Sequence, residues 1–411
     1  MIAKSHRTIK NLVRTACRST SGNVAIMTGF VIGVIMLAGG SAMDYSRASK
    51  VRNHLGNALD AAAISAAKDL STGGWTLTQV KERAKKAFEA NFRVAQMHEI
   101  SVSGFDLVQN TVSKSVAVVA NATLPTTFMQ IANINELSVA NRAVARYSDK
   151  KLEMAMMLDV TGSMSGSKIT SLKQAAKDAV DILLPEGASS SDVVRVGLVP
   201  YSYSVNAGDY ASAVTNGAST KCVTERAGIN SFNDVKPETD PLDADTILGH
   251  GTWYCPDAKV VPMTNDRTIL KTKINAFSAG GYTAGHLGVA WSWYMLSPEW
   301  SSIWPTASAP VAYNDDDTIK VAILMTDGQF NTAYESGNGS STYQAKQLCQ
   351  NMKNKGIIIY SVAFQAPWSA QQTLQYCATS SDHYFDASSG EQLHAAFTQI
   401  AVNVRKLFLS E

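Results

Sequence analysis

The chain has 411 residues, 45% of them hydrophobic, and a formal net charge of +2 at pH 7. That length is enough for two or three domains at ~100–200 residues each. Five of the 36 basic residues (Lys4, Arg7, Lys10, Arg14 and Arg18) fall in the first 22 positions, which hold no acid, so the remainder is weakly acidic. A main body of that sign lacks the basic face that nucleic acid requires, and no nucleic-acid partner is expected.

Residues 1–22 read as a basic cytoplasmic N-terminus and residues 23–43 as a transmembrane helix. Val24 to Met43 is a run of twenty residues without a charge, and at ~1.5 Å per residue it reaches about 30 Å, the thickness of a bilayer core. It exceeds the ~7–15-residue core of a signal peptide. The positive flank predicts a single pass through the inner (cytoplasmic) membrane, with the bulk of the chain periplasmic or extracellular. Leu55, Ala58, Leu59, Ala62 and Ala66 recur at helical spacing and extend the helix to about Leu70, before Ser71-Thr72-Gly73-Gly74. A second amphipathic helix is predicted from about Leu77 to Phe92. Alternating segments near Ile100–Leu107, Ser115–Leu124 and Leu137–Tyr147 predict a small sheet, making 44–150 an α+β region.

Asp149-Lys150-Lys151 marks a charged hinge into a second domain, 151–411. Its first apolar run, Leu152 to Leu158, ends in Asp159-Val160-Thr161-Gly162-Ser163. The carboxylate and two hydroxyls alternate along a glycine-containing turn, so their oxygens can converge on one hard cation such as Mg²⁺. Alternation of apolar strands with helices down to Glu391–Leu407 predicts an α/β fold, a doubly wound, mostly parallel sheet. Ser388-x-x-Glu391 reads as the capping box of the last helix. A polar segment at about 201–265 interrupts the pattern and reads as an insertion near the metal face. Further on, Gly280-Gly281-Tyr282-Thr283 precedes an apolar helix, and the strand Val321–Thr326 leads into Asp327-Gly328. Ligands of open α/β sheets bind beyond the carboxyl ends of the strands, where both acids fall.

Cys222, Cys255, Cys349 and Cys377 lie in the part predicted to be exported, where disulfides persist. Three pairings are open. The sequence-local one, Cys222–Cys255 with Cys349–Cys377, is expected, each bridge contributing on the order of 3 kcal/mol.

Asp159, Thr161, Ser163, Thr283 and Asp327 together resemble the metal-ion-dependent adhesion site (MIDAS) of von Willebrand factor A domains. That resemblance implies the von Willebrand A (Rossmann-like) fold and coordination of Mg²⁺ (or Mn²⁺ or Ca²⁺) by those five residues. It further implies an open position filled by a carboxylate from a protein partner. Thr161 stands where that family has Ser and keeps the donor oxygen. Ser21-Gly22-Asn23-Val24-Ala25-Ile26, the span, Asp44-Tyr45-Ser46-Arg47 and Asn57-Ala58-Leu59-Asp60-Ala61-Ala62-Ala63 are similar to TadG-like proteins of the bacterial tight-adherence (Tad/Flp) pilus-assembly system, as is Leu124-Pro125-Thr126-Thr127-Phe128-Met129. This similarity implies a pilin-like 44–150 region and a partner among pilus components or other Tad proteins. Prepilins carry Glu five residues after the cleavage glycine; after Gly22 that position is Met27, so the span is expected to remain as an anchor.

No catalytic constellation emerges. Gly162-Ser163-Met164-Ser165-Gly166 has Met where a nucleophile elbow needs its central Ser, His98-Glu99 lacks the second His of a zincin helix, and Asn314-Asp315-Asp316-Asp317 reads as a solvated turn. Tyr201, Tyr203, Trp253, Tyr254 and Tyr282 are candidates for a recognition surface around the metal. The chain is therefore expected to be a non-enzymatic, membrane-anchored pilus-assembly or adhesion factor. A surface adhesin for host or matrix proteins, unconnected with pilus biogenesis, is the rival reading, and an exported metal-dependent hydrolase is the third.

Overall fold

The computed structural model describes residues 22–92, 100–148, 150–185, 193–238, 245–251 and 255–407. The basic N-terminus, His98, Asp149, Trp253, Tyr254 and residues 239–244 of the polar segment lie outside the described residues. The chain forms two compact units, one of Met1–Lys68 with Thr76–Tyr147 and the other of Asp69–Trp75 with Ser148–Glu411.

In the first unit, helix α1 (Gly22–Thr72) is continuous through the predicted span and beyond it. Its first part leaves Ile26, Phe30, Val34 and Ile35 exposed, and it is long and apolar enough to cross a membrane. Further along, the predicted stripe of Leu55, Ala58, Leu59, Ala62 and Ala66 is fully buried. Helix α2 (Leu77–Asn91) opens on a reciprocal Thr76/Gln79 capping box, which satisfies two otherwise orphaned N–H groups. Strands β1 (Ser101–Asn110), β2 (Ser115–Pro125) and β3 (Glu136–Arg146) form an antiparallel sheet with β2 in the middle.

One buried acid ties the long helix to this sheet's turn. Asp44 accepts hydrogen bonds from the backbone N–H groups of Thr127, Phe128 and Met129 at 3.0, 2.8 and 2.9 Å. One turn earlier on the helix, Gly40 leaves the space that the Phe128 ring fills. Any side chain there would displace the ring, so the glycine fixes how closely the turn approaches.

The second unit is an eight-stranded sheet between helical layers. Its elements in order are β4 (Lys151–Asp159), α3 (Ser167–Leu183), β5 (Val194–Tyr201), β6 (Val205–Asn206), β7 (Cys222–Val223), β8 (Val261–Thr264), α4 (Arg267–Asn275), α5 (Gly285–Leu296), β9 (Thr318–Thr326), α6 (Ser341–Asn354), β10 (Ile358–Phe364), α7 (Trp368–Cys377), β11 (Tyr384–Ala387) and α8 (Gly390–Leu407). The sheet order is β11-β10-β9-β4-β5-β6-β7, with β8 paired to β5. The five long-range α/β strands are mutually parallel, while β6, β7 and β8 join antiparallel. Side chains of β4 alternate between two cores: Met154, Met156 and Leu158 pack with α3, α4 and α8, and Ala155 and Met157 with α5, α6 and α7. This is the expected α/β architecture. The polar 201–265 segment contributes three short strands to the sheet edge, and α4 follows it, an element the periodicity reading omitted. Both predicted bridges form, Cys222–Cys255 and Cys349–Cys377.

The expected Ser388/Glu391 capping box does not form, and the cap lies one residue further on. Helix α8 starts at Gly390, so Ser389 takes the cap and its Oγ accepts the Gln392 N–H at 3.2 Å. Gln392 Oε1 in turn accepts the Ser388 N–H at 2.7 Å. Asp315 forms the expected local turn, its carboxylate accepting from the Thr318 hydroxyl at 2.7 Å.

Replacing Asp44 with Ala leaves three N–H groups at 127–129 without their acceptor. The expected outcome is a loss of about 1–3 kcal/mol, seen as faster amide hydrogen exchange at Thr127, Phe128 and Met129 than in the wild type.

Candidate metal centre

Strand β4 has neighbours on opposite sides: the chain proceeds from β4 to β5 on one flank, and β9 later returns on the other. The strand order therefore reverses beside β4, and the crevice beyond its carboxyl end is the topological switch point of the sheet. Asp159 is the last residue of β4, and Asp327 directly follows β9. The sheet topology alone brings together two acids 168 positions apart.

Asp159 is fully buried. Its Oδ2 accepts from the Tyr201 hydroxyl at 3.0 Å, the Thr326 hydroxyl at 2.7 Å and the Asp327 N–H at 3.3 Å. Its Oδ1 accepts the Thr161 N–H at 2.8 Å. Burial, and then the neighbouring Asp327 charge, push the carboxyl of Asp159 up from its ordinary value, against the opposing bonds from Thr161 and Thr326. The same burial beside Asp159 holds the Tyr201 phenol neutral, well above its ordinary range.

The hydroxyls follow. Thr161 Oγ1 and Ser163 Oγ lie 2.9 Å apart, and the Ser163 hydroxyl donates to Asp327 Oδ1 at 2.5 Å. Thr283 enters on a separate loop held by backbone bonds: the Gly162 N–H donates to Gly281 O at 2.8 Å and the Gly280 N–H to Val160 O at 2.9 Å. Gly281 makes this loop with a φ of +87°, a conformation that favours glycine. A Cβ placed on Gly328 would sit 3.4 Å from Thr283 Oγ1 and 3.6 Å from Ser163 Oγ. Both hydroxyls thus border one small cleft that the glycine keeps open. Helix α5 sits tightly behind, because Gly288 leaves no room for a Cβ against Met157 and Tyr201.

The structure thus brings all five sequence-predicted residues to one crevice. The donor set is two carboxylates and three hydroxyls, all oxygen, which suits a hard divalent cation such as Mg²⁺, Mn²⁺ or Ca²⁺. Among the described residues no cluster of three or more His, Cys, Asp or Glu side chains is arranged for a metal. Among the described residues the cation bonded at this pair of buried acids is Lys168, whose Nζ is 2.8 Å from Asp327 Oδ2. A divalent ion at the hydroxyl cleft would offset the charge of the two carboxylates.

Other residues around the crevice were not legible as site residues. Lys168 stands in the first turn of α3 and shows no local pattern beyond being basic. Thr326 looks like strand interior. Asn331 carries the bonds that hold Thr283: its N–H donates to Thr283 O at 3.0 Å and its Oδ1 accepts the Thr283 N–H at 3.2 Å. Beyond it, Glu225 of the insertion is buried beside this same post-β9 loop, accepting the Tyr334 N–H and, at 2.9 Å, the Glu335 N–H on Oε1. Glu225 Oε2 lies 3.2 Å from His286 Nε2, and His286 Nδ1 is 2.8 Å from Ser341 Oγ. Of the candidate recognition aromatics, Tyr201 is buried in the core, whereas Tyr282 is exposed and meets Tyr203 edge-on at a centroid distance of 4.7 Å. Tyr334, absent from the sequence-based candidates, donates its hydroxyl to Tyr203 O at 2.8 Å and is partly exposed.

The sheet order and the crevice loop define a von Willebrand A-like α/β domain. At the other end of the chain, residues 22–69 match the family described as Putative Flp pilus-assembly TadE/G-like. No curated protein matches the sequence. Among solved structures the chain is similar to the von Willebrand factor domain of the type V pili tip protein Mfa5 from Porphyromonas gingivalis, with 14% identity, a TM-score of 0.41, and 64% of this chain and 97% of that one covered. It is also similar to the pilus adhesin SpaC from Lactobacillus rhamnosus GG, at 14% identity and TM-score 0.39, covering 75% of this chain and 35% of that one. A third is proximal thread matrix protein 1 from the mussel byssus with a zinc-occupied MIDAS motif, at 13% identity and TM-score 0.37, covering 62% and 48% of the two chains. Likeness at this level assigns no ligand to this chain.

Burial raises the carboxyl of Glu225, but the His286 contact and the Glu335 and Tyr334 amides outweigh it and bring it from 4.5 down to about 2. A depressed folded-state value contributes stability that is complete above the unfolded value and lost as pH falls through the folded one. Acid titration from pH 4.5 to about 2 is therefore expected to remove on the order of 3 kcal/mol through this group. Denaturant unfolding at stepped pH should show a shallower slope across that window in Glu225→Gln than in the wild type.

Proposed function

We propose that this chain is a membrane-anchored, pilus-associated adhesion factor that captures a protein partner through a divalent cation. Asp159, Thr161, Ser163, Thr283 and Asp327 would hold the ion, Mg²⁺ foremost, and a carboxylate from the partner would complete its coordination. The observation that carries this reading is the meeting of two buried acids and three hydroxyls at the switch point of the sheet, where Lys168 is the cation bonded to them among the described residues. The bound ion would supply a fixed positive charge, and the protein's own residues would orient and desolvate the incoming carboxylate. Exposed Tyr282, next to Thr283 in the chain, and exposed Tyr334 both meet Tyr203, and tyrosines of this kind anchor protein interfaces.

The pilus context rests on the TadE/G-like match at 22–69. The long apolar helix α1 would be the anchor, and the basic residues before it would place the N-terminus in the cytoplasm and the chain from Asp44 onward outside it. The reaction class is recognition, not turnover. The acids at the crevice are engaged with hydroxyls, amides and Lys168.

Metal-free protein given Mg²⁺ or Mn²⁺ at about 100 times Kd is expected to gain about 2.7 kcal/mol of stability, read as a rise in thermal midpoint that a chelator reverses. Asp159→Ala should abolish that rise; an undiminished rise would remove the crevice from the binding of the ion.

Loss of the chain from its cell should abolish assembled pili. Intact pili with attachment lost would instead favour a surface adhesin independent of pilus biogenesis.

A further inference from the structure

The insertion between β5 and β8 reaches back to the candidate metal centre through one side chain. Glu225 follows β7 by two residues, and its neighbourhood is fixed on the insertion side. The Thr224 N–H donates to Gly249 O at 2.8 Å and the Gly249 N–H to Glu225 O at 3.1 Å, while Cys222 in β7 is bridged to Cys255. Its carboxylate then grips the loop after β9 by the amides of Tyr334 and Glu335. A second hold lies further along the same loop, where Asn338 Nδ2 donates to Arg226 O at 2.7 Å and Ser231 Oγ to Asn338 Oδ1 at 2.8 Å.

The gripped loop is the one that carries the crevice. It begins at Asp327 and Gly328, and its Asn331 and Thr332 amides bond Thr283 O at 3.0 and 3.3 Å. On its other face Glu225 meets His286, in the first turn of the helix that Thr283 leads into. The carboxylate thus touches both chain segments that deliver Thr283 and Asp327, yet it bonds none of the five proposed donors. Groups that orient ligands from outside the coordination shell change metal affinity strongly.

Resting on the proposed metal reading, we propose that Glu225 is a positioning residue. The disulfide-stapled insertion sets the affinity of the ion site by clamping the Asp327–Glu335 loop against the Thr283 segment. The insertion is then a regulatory element of the site: whatever binds or loosens it changes how tightly the ion, and through it the partner's carboxylate, is held.

The test is Mn²⁺ binding to the full chain in detergent, with free Mn²⁺ read by electron paramagnetic resonance, for the wild type, Asp159→Ala, Glu225→Ala, Glu225→Gln and Glu335→Pro. Glu225→Ala is expected to raise Kd about 10- to 100-fold. Glu225→Gln keeps an oxygen acceptor for both amides and should bind near the wild-type value, a rescue that a purely electrostatic role would not give. Glu335→Pro removes one clamped N–H with Glu225 intact, and should weaken binding to a lesser degree; it keeps the test decisive if Glu225→Ala does not fold. Wild-type affinity in Glu225→Ala, or in Glu335→Pro where that variant alone folds, with binding lost in Asp159→Ala, overturns the clamp and leaves the metal site standing. No Mn²⁺ uptake by the wild type, or full uptake by Asp159→Ala, overturns the metal reading and this proposal together.

Discussion

The constraint behind the second unit is the burial of the Asp159 carboxylate at the end of its central strand. A charge removed from water is costly unless it is bonded on every side or neutralised. Here the chain spends Tyr201, Thr326 and two amides on it, and then places a second acid, Asp327, beside it. Tyr201 ends β5, while Thr326 ends β9 and Asp327 directly follows it, so satisfying Asp159 requires the three central strands to finish in register. Leu158 pairs with Pro200 and Asp159 with Tyr201, and Met157 is level with Leu324. A one-residue slip of either neighbour would turn its side chain to the other face of the sheet and strand the carboxylate. The same alternation divides the flanking cores, so packing and site geometry enforce one register.

How much of this was legible follows from the same physics. The apolar runs at 152–158 and 321–326 and the acid after each were readable because strands buried on both faces are continuous and because ligands sit beyond their carboxyl ends. Thr283 was legible from the glycine pair before it, since Gly281 takes a backbone conformation that most residues avoid. Strands β6 and β7 were not. Each is two residues long, too short to show a period, and each exists because the sheet edge offers it partners. Helix α4 did carry a signal, with Asp266 accepting the Ile269 N–H and Leu270 and Ile274 buried one turn apart, but the nine-residue span sits among polar residues and was passed over. Glu225 had no signal at all: an acid in a polar stretch becomes informative only when the fold brings two amides and a histidine to it.

Lys168, the cation bonded at the crevice among the described residues, bears on where the proposed ion would sit. Lys168 bonds Asp327 on the oxygen away from Ser163, with Oδ2 facing the lysine and Oδ1 the hydroxyl. The lysine thus leaves the hydroxyl side of Asp327 free, and Thr161, Ser163 and Thr283 border the cleft there without contributing charge. Hydroxyls are weak ligands alone, and they hold a hard cation only beside anionic oxygens, as here.

The sign of the crevice then sets the order of events in the proposed recognition. Without an ion, two carboxylates against the Lys168 ammonium repel an incoming carboxylate, and the exposed tyrosines alone offer no charge to offset its desolvation. With a divalent ion the local balance would become more positive, and the same carboxylate would be drawn in. Ion and partner are therefore coupled by electrostatics alone, each favouring the other in equal measure. The proposed clamp from the insertion, acting on the segments that carry Thr283 and Asp327, would enter that coupling at its first step. On that proposal the polar 201–265 segment, the part least regular in sequence, is where the partner's affinity would be tuned.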